Sequence, residues 1–504
     1  MPQDNKKVIV IGAGLGGLSC AISLAQDGHS VTIYEKRDRI GGKLNIREIE
    51  GFNFDLGPSI LILPHIFERL FTGSGEKMSD HFSITRLEPQ WRNFFEDDTV
   101  VDLWGDIARM EEELSRFPEE ETDGYYEYIE YSRRLWNFAR EAYFGRGADT
   151  MADVSRGYGK LKLLGQTDYF FTMAEKVRRY IKNPYLRDIM CFFIKYIGSS
   201  PFNAPAIFNL LPYSQLGYGE WYVEGGMYNI ARGLGHLLEK EKVEVNLDSE
   251  VVRIVAHDGE ARGVELASGE IINADIVVSN METVPAYREL LEVESDWLEE
   301  FEHRFEPSCS GLVVHLGVDR EYPNLAHHNF FFAEDLEDHM NSVYNEYKMP
   351  TYPTIYVVAP TRTDKSIAPK GCEVIKLLPH IPHLQEPPFS REEYDALKER
   401  LYDKLERNGV ENLREHIVVE DILYPEDIRD MYYSNRGSIY GVVADKWKNK
   451  GFRAPKRSEL VQNLYFVGGS VNPGSGMPMV AYSGQMVRDM IAEKISEESE
   501  GRDS

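Results

Sequence analysis

Residues 7–12 (KVIVIG) are an almost unbroken apolar run behind charged residues, the pattern of a short strand buried on both faces. From about Gly16 to Asp27 the period changes, and Leu18, Ala21, Ile22 and Ala25 fall on one face of a helix. Residues 30–35 (SVTIYE) are rich in β-branched side chains and alternate, so they read as a second strand. A β-α-β unit this compact predicts the opening of a doubly wound parallel sheet and an α/β fold.

Further along, residues 107–190 carry helical periodicity, opening on the acidic runs Glu111–Glu113 and Glu119–Glu121, which read as solvated surface. Residues 191–219 are apolar and aromatic, with Lys195 the one charged side chain before Gly219. Pro201, Pro205 and Pro212 break any long helix there, leaving core, the wall of an apolar tunnel or a membrane-facing surface as readings. A helix over 228–241 precedes a β-rich block to Asn280. In that block Ser249–Ala256 and Arg262–Ala267 flank a His257-Asp-Gly-Glu turn, a hairpin signal, and Ala274–Ser279 is a buried strand. Residues 290–425 mix strands such as Gly311–Val318 with helices such as Glu392–Glu406. The chain then returns to a strand over Asn463–Val467, a glycine-rich turn and a helix from about Pro478 to Lys494, before an acidic tail expected to fray.

Composition narrows the class. Hydrophobic residues are 42% and charged residues 28% of the 504, which excludes wholesale disorder. A formal charge of −27 disfavours nucleic acid and disfavours docking on anionic lipid through a basic patch. Cys20, Cys191, Cys309 and Cys372 are widely spaced, give no disulfide framework or zinc motif, and suit a reducing compartment. Neither a signal peptide nor an apolar run of about 20 residues is visible, which predicts a cytoplasmic protein.

The chemistry enters at Gly12-Ala-Gly14-Leu-Gly16-Gly17, between strand and helix. Gly12 allows the tight turn, Gly14 lets backbone approach a pyrophosphate, and Gly17 lets the helix pack on the sheet. Glu35, at the end of the second strand, is placed to accept from ribose hydroxyls. An ADP moiety fits this pattern, whether from NAD or FAD. Two further elements favour the longer, fully buried FAD. The first is Gly41-Gly42-Lys43 followed by Gly57-Pro58-Ser59. The second is Gly468-Gly469-Ser470 with Gly476-Met477-Pro478, a strand–glycine–helix element far along the chain, able to aim N–H groups at the other end of the cofactor.

The N-terminal G-x-G-x-x-G…E…GG-K pattern combined with the C-terminal G-G-S-x-x-P-G-x-G-x-P pattern resembles the carotenoid desaturase and oxidase family of FAD flavoproteins, over about residues 7–492. Within it, the segments Phe54–Ile60, Phe193–Ser200, Trp221–Gly226, Leu325–Phe332 and Ser434–Lys446 resemble the bacterial C30 carotenoid oxygenases. The resemblance implies a Rossmann-like FAD-binding domain (residues 1–80, 220–290 and 430–504), an inserted β-sheet substrate domain (81–110 and 291–429) and a helical lid or membrane-facing region (111–219). It implies that Gly12, Gly14 and Gly17 hold the pyrophosphate, Glu35 the adenosine ribose and Val251 the adenine, with Gly469, Met477 and Pro478 at the isoalloxazine end. Gly16, Lys36, Gly42, Gly57, Pro58, Ser59, Gly468 and Gly476 complete the expected cofactor contacts. Lys43, where the family often has arginine, is expected to meet phosphates. Ser470 stands where many related flavoproteins have an acid and is left with a weaker hydrogen bond to offer.

The implied reaction is oxidation of a terminal methyl of a linear C30 carotenoid (diaponeurosporene or diapolycopene) to aldehyde or carboxylate, with oxygen or another electron acceptor. A diapophytoene or phytoene desaturase and a non-catalytic prenyl-binding protein are the alternatives. No catalytic side chain is assigned. His327-His328 and His380/His383 lack the carboxylates of a metal site, and Ser19, Cys20 and Ser470 sit in no nucleophile motif. Trp91, Trp221 and Phe330–Phe332 read as core or as a polyene channel. An insoluble substrate implies a peripheral membrane contact through exposed apolar surface, with residues 191–219 the first candidate.

Overall fold

Strand β1 (Lys7–Ile11), helix α1 (Leu15–Gln26) and strand β2 (Ser30–Tyr34) form the expected unit. The computed structural model describes residues 5–145, 147–159 and 167–502. β1 sits at the middle of a parallel sheet in the order Leu464–Phe466, Ile276–Ser279, β1, β2, Glu244–Asn246. Val8, Ile9 and Val10 are fully buried because helices or loops cover both faces, as a parallel sheet requires. On one face α1 packs against the last helix, Met477–Arg502. A Cβ on Gly484 would stand 2.6 Å from Gly16 O and from Cys20 N, so the two helices touch backbone to backbone.

Three antiparallel strands (Val251–His257, Glu260–Leu266, Ile271–Asn273) lie beside this sheet. The hairpin is tighter than the sequence suggests. Asp258 and Gly259, with φ of 52° and 76°, make a two-residue turn of the handedness that matches strand twist. A mixed sheet forms the second layer, in the order Ile417–Leu423, Val313–Val318, Glu373–Ile381, Ile355–Val358, His328–Phe331, Trp91–Phe94, Val100–Leu103, with Ser310–Gly311 on Glu373–Ile381. Its packing is aromatic: Phe94 stacks on Phe331 with centroids 4.4 Å apart, and Trp91 on Phe193 at 4.1 Å.

Helices Ile107–Leu114, Glu119–Ala139, Met151–Tyr158, Met173–Tyr180 and Pro184–Phe192 cover the region between. Residues 191–219 continue as short helical pieces started by prolines. Pro205 precedes Ala206–Leu210, and Pro212 stands in the first turn of Leu211–Leu216. Cys191, Phe192, Phe193 and Ile194 are buried, so the first part of this stretch is interior, against the expectation that it offers an exposed apolar face. The tail also differs from expectation. The final helix runs to Arg502, with Ser496–Glu500 in solvent, consistent with the good helix formers Glu and Lys and the Lys494–Glu498 pair one turn apart at 3.8 Å.

Candidate functional site

The strand order changes side at β1: the next parallel strand lies on one side of it, and Ile276–Ser279 lies on the other. The carboxyl ends of these strands therefore open onto a crevice. A cleft of about 300 Å³ occupies it. Its near end is glycine loop. Gly12 (φ 89°) and Gly14 line it, Gly41 N donates to Ala13 O at 2.8 Å, and Gly42 (φ 61°) lies so close that a Cβ there would be 2.9 Å from Gly14 Cα. A Cβ on Gly14 would meet Asn280 Nδ2 at 2.4 Å. The loop is a cradle of bare backbone that any side chain would fill, and it lies at the N-terminus of α1.

Glu35 lies at the mouth of β2, mostly buried. Its Oε2 accepts from Ala13 N at 2.7 Å and its Oε1 from Arg37 N at 3.0 Å, which fixes the carboxylate while leaving each oxygen a further lone pair. Lys36, Val251, Gly57 and Pro58 also line the cleft, as does a second glycine element that starts beside the loop, at Gly468, and leads through Gly469 to Gly476 and Met477. There the walls turn apolar, with Leu378, Ile439, Val480 and the Tyr440 ring.

Several expected contacts fall elsewhere. Gly16 and Gly17 are packing positions: a Cβ would meet Gly468 N at 2.8 Å and Gly12 O at 2.2 Å respectively, and neither lines the cleft. Ser59 and Ser470 are buried outside it. The Ser470 Oγ accepts from Thr283 N at 3.1 Å, so the hydroxyl holds a loop and does not face the cleft. Pro478 lines a second cavity. Lys36 Nζ donates to Asp430 O at 2.9 Å and lies 3.5 Å over the Tyr433 ring. Lys43 Nζ spends its three donors on Glu282 Oε1 (3.0 Å), Ser434 Oγ (2.8 Å) and Ser438 O (3.0 Å), and so braces the cleft wall where a phosphate contact was expected.

Three residues of the cleft carry no signal in the motifs. Asn280 follows the strand Ile276–Ser279, and its Oδ1 accepts from Gly17 N at 3.0 Å, holding the glycine loop against the sheet. Its place at the carboxyl end of a central parallel strand is the clue that could have found it. Tyr440, within the segment Ser434–Lys446 that carries the family resemblance, lines the cleft. Lys376 reaches across from the mixed sheet and donates to Gly57 O at 2.6 Å and to Asp55 O at 3.2 Å. Burial lowers its ammonium to about 8, against the pull of Asp55, whose own carboxyl burial raises.

A second cavity of about 160 Å³ meets the cleft at Ser475, Gly476 and Met477. Its walls are apolar: Trp136, Phe138, Phe144, Ile207, Phe208 and Phe452 among others. Trp91, Trp221 and Phe330–Phe332 do not line it. Among the described residues no group of three or more His, Cys, Asp or Glu side chains could hold a metal. His327 instead pairs with Thr363 Oγ1 at 2.7 Å and His328 with Tyr356 OH at 2.9 Å.

A bare-backbone glycine cradle, a carboxylate fixed beside it, and a second glycine element that leads from the cradle to apolar walls fit an extended flavin dinucleotide along the cleft. The fold and cleft define an FAD-dependent oxidoreductase. The chain belongs to the flavin containing amine oxidoreductase family, whose model matches residues 15–487. It is 54% identical to a 4,4′-diapolycopene oxygenase from a Methylomonas species, over 97% of this chain and 98% of that one. It is 47% identical to a 4,4′-diaponeurosporene oxygenase from Staphylococcus aureus, over 96% and 98%. Among solved structures, a putrescine oxidase bound to putrescine superposes with a TM-score of 0.65 at 15% identity over 98% of this chain and 100% of that one. An oxidoreductase from Methanosarcina mazei gives 0.63 at 15% over 96% and 100%. These two likenesses speak to fold.

Proposed function

We propose that the protein oxidises a terminal methyl group of a linear C30 carotenoid to the aldehyde or carboxylate level, with FAD as cofactor and oxygen or another acceptor as oxidant. The observation that carries this reading is the junction of the apolar cavity with the cofactor cleft at Ser475–Met477. A polyene has no hydrogen-bonding group along its length, so an apolar cavity that opens beside the cofactor suits it. The two oxygenase relatives are, by their names, oxygenases of diapolycopene and of diaponeurosporene.

When bound, FAD supplies hydride acceptance and oxygen chemistry, which leaves the protein little acid–base work. The chain's own task is placement. Gly12, Gly14 and Glu35 bind the nucleotide half, and Gly468, Gly469, Gly476 and Met477 border the reacting half. Trp136, Phe138, Phe144 and Phe208 orient the hydrocarbon and keep water from it. No side chain is required as nucleophile or metal ligand.

Delivery is by apolar contact with a lipid surface. None of the helices described is long and apolar enough to cross a membrane. Two exposed aromatics support the docking reading: Phe170 is 73% and Trp447 79% exposed, and Lys446 between them donates to Phe170 O. Their neighbours Tyr169 and Lys450 line the apolar cavity, so this corner is its mouth.

The deciding experiment is expression in cells that make diaponeurosporene and diapolycopene, with mass analysis of the pigments. New oxygen at a former methyl is expected. Lengthened conjugation from diapophytoene without any oxygenated product would replace this reading with a desaturase.

A further inference from the structure

Behind the wall of the apolar cavity lies a group of buried ionisable side chains to which the reaction as described assigns no part. Lys195 begins it. It is the charged residue in the otherwise apolar 191–219 stretch, and only 3% of its surface is accessible. Its Nζ lies among four rings, 3.8 Å from the centroid of Tyr196, 4.6 Å from Trp91, and 5.1 Å from both Phe330 and Tyr356. Among the described residues it makes neither a hydrogen bond nor an ion pair within 4.0 Å.

Near it are two side chains that each keep one polar atom without a partner. Glu220 is fully buried. Its Oε1 accepts from Trp91 Nε1 at 3.3 Å and stands 3.7 Å from His328 Nε2, while its Oε2 has no partner. His328 Nε2 is likewise unbonded. Burial lowers the Lys195 ammonium and raises the Glu220 carboxyl, each partly offset by the other. A buried polar group without a partner costs about 1–3 kcal/mol, more when charged. Two such atoms, Glu220 Oε2 and His328 Nε2, beside an ammonium held only by ring faces mark a place that can receive something polar.

The position says what. Tyr196, whose ring Lys195 faces, also lines the apolar cavity, and Ser475 Oγ in the cofactor-side turn donates to Tyr196 O at 2.9 Å. Tyr356 and Phe330 close the far side from the mixed sheet. The cluster therefore adjoins, behind the Tyr196 ring, the end of the cavity where a reacting terminus would lie.

We infer that Lys195, backed by Glu220 and His328, forms a binding site for the oxygen of a polyene aldehyde: the ammonium donates to the terminal carbonyl oxygen while the conjugated chain lies in the apolar cavity. This rests on the proposed function and deepens it. A methyl oxidised once carries a polar atom that an apolar cavity would expel. A cation waiting beside it holds the half-oxidised end in place for the next step.

The test uses the FAD-loaded protein without oxygen, titrated in detergent with a linear C30 polyene mono-aldehyde and with its parent hydrocarbon. A carbonyl oxygen that accepts from an ammonium draws electron density along the chain and moves the visible band to the red. The expected result is a red-shifted band for bound aldehyde that Lys195→Met abolishes, together with an about tenfold fall in the aldehyde-to-hydrocarbon affinity ratio. Should that variant not fold, Glu220→Gln keeps the shape, removes the acid that helps hold Lys195 protonated, and should shrink the red shift. Borohydride should leave Lys195 unmodified, and a covalent adduct there would overturn the non-covalent site. Equal bands and equal affinity ratios in wild type and variants would overturn the inference while the functional reading stands. Failure of the wild type to bind either polyene would overturn both.

Discussion

Lys43 and Glu282 meet in the wall of the cofactor cleft, Nζ to Oε1 at 3.0 Å, and together they tie the 434–438 loop to the dinucleotide-binding layer. Glu282 also accepts from Ser434 Oγ and from Asn435 N, both at 3.0 Å. Glu282→Ala strands a lysine and frees the loop that carries Tyr440 toward the cleft. Retention of FAD through gel filtration should fall roughly tenfold in affinity, about 1.4 kcal/mol. Lys43 is about one-third exposed, so Lys43→Met should cost less. Equal losses would mean that Lys43 contacts the phosphate after all.

Gly14→Val places a branched side chain where a single Cβ already stands 2.4 Å from Asn280 Nδ2. The folded variant should purify colourless. Asn280→Ala removes the acceptor of Gly17 N and should lower flavin content partially. Flavin absorbance per protein with a far-UV spectrum checks both, and Gly14→Val protein that binds FAD at wild-type affinity would displace the site.

The glycine loop and Glu35 were legible in the sequence because local geometry dictates them: a tight turn, a bare backbone and a strand end lie within a few residues. Asn280, Lys376 and Tyr440 were not, since each reaches the cleft from a separate element and only the tertiary arrangement brings it there. Ser470 and Lys43 show the converse. Their positions follow the family pattern, yet both side chains are engaged by loops, and no spacing rule reports who occupies a donor. The burial of residues 191–194 has the same origin, because apolar composition is common to cores and membrane faces.

Gly476 lies where the two cavities meet, with φ at 93° and no atom within 4 Å of a built Cβ. Gly476→Val forces a branched residue into a left-handed conformation and narrows the junction. Turnover should vanish while part of the FAD is retained, measured as product per bound flavin.

Liposome flotation checks the membrane contact. Phe170→Glu with Trp447→Glu should cut binding at least tenfold, and the wild type should bind neutral vesicles in moderate salt. Binding that requires anionic lipid would contradict an apolar mechanism.

Buried histidines make the fold acid-labile. Burial lowers His380 to about 3, His327 to about 3 and His339 to about 4. The unfolded chain takes up these protons near pH 6.5 and the folded one does not. Their contribution is complete above pH 6.5 and lost as pH falls toward 3–4. Each adds a slope of up to about 1.4 kcal/mol per pH unit in that window. His380→Phe keeps the stacking on Phe192 and should flatten urea-derived stability between pH 6.5 and 5.

The central sheet pairs β1 with Ile276–Ser279, and that strand in turn with Leu464–Phe466, so the two glycine elements that line the cleft are written some 460 residues apart. At roughly 5–20 residues per second of synthesis, the first glycine element waits about 20–90 s for the second. Cofactor capture is thereby tied to completion of translation. Chains cut short before that element would lack half the flavin site, so flavin loading reports the integrity of the polypeptide as well as its fold.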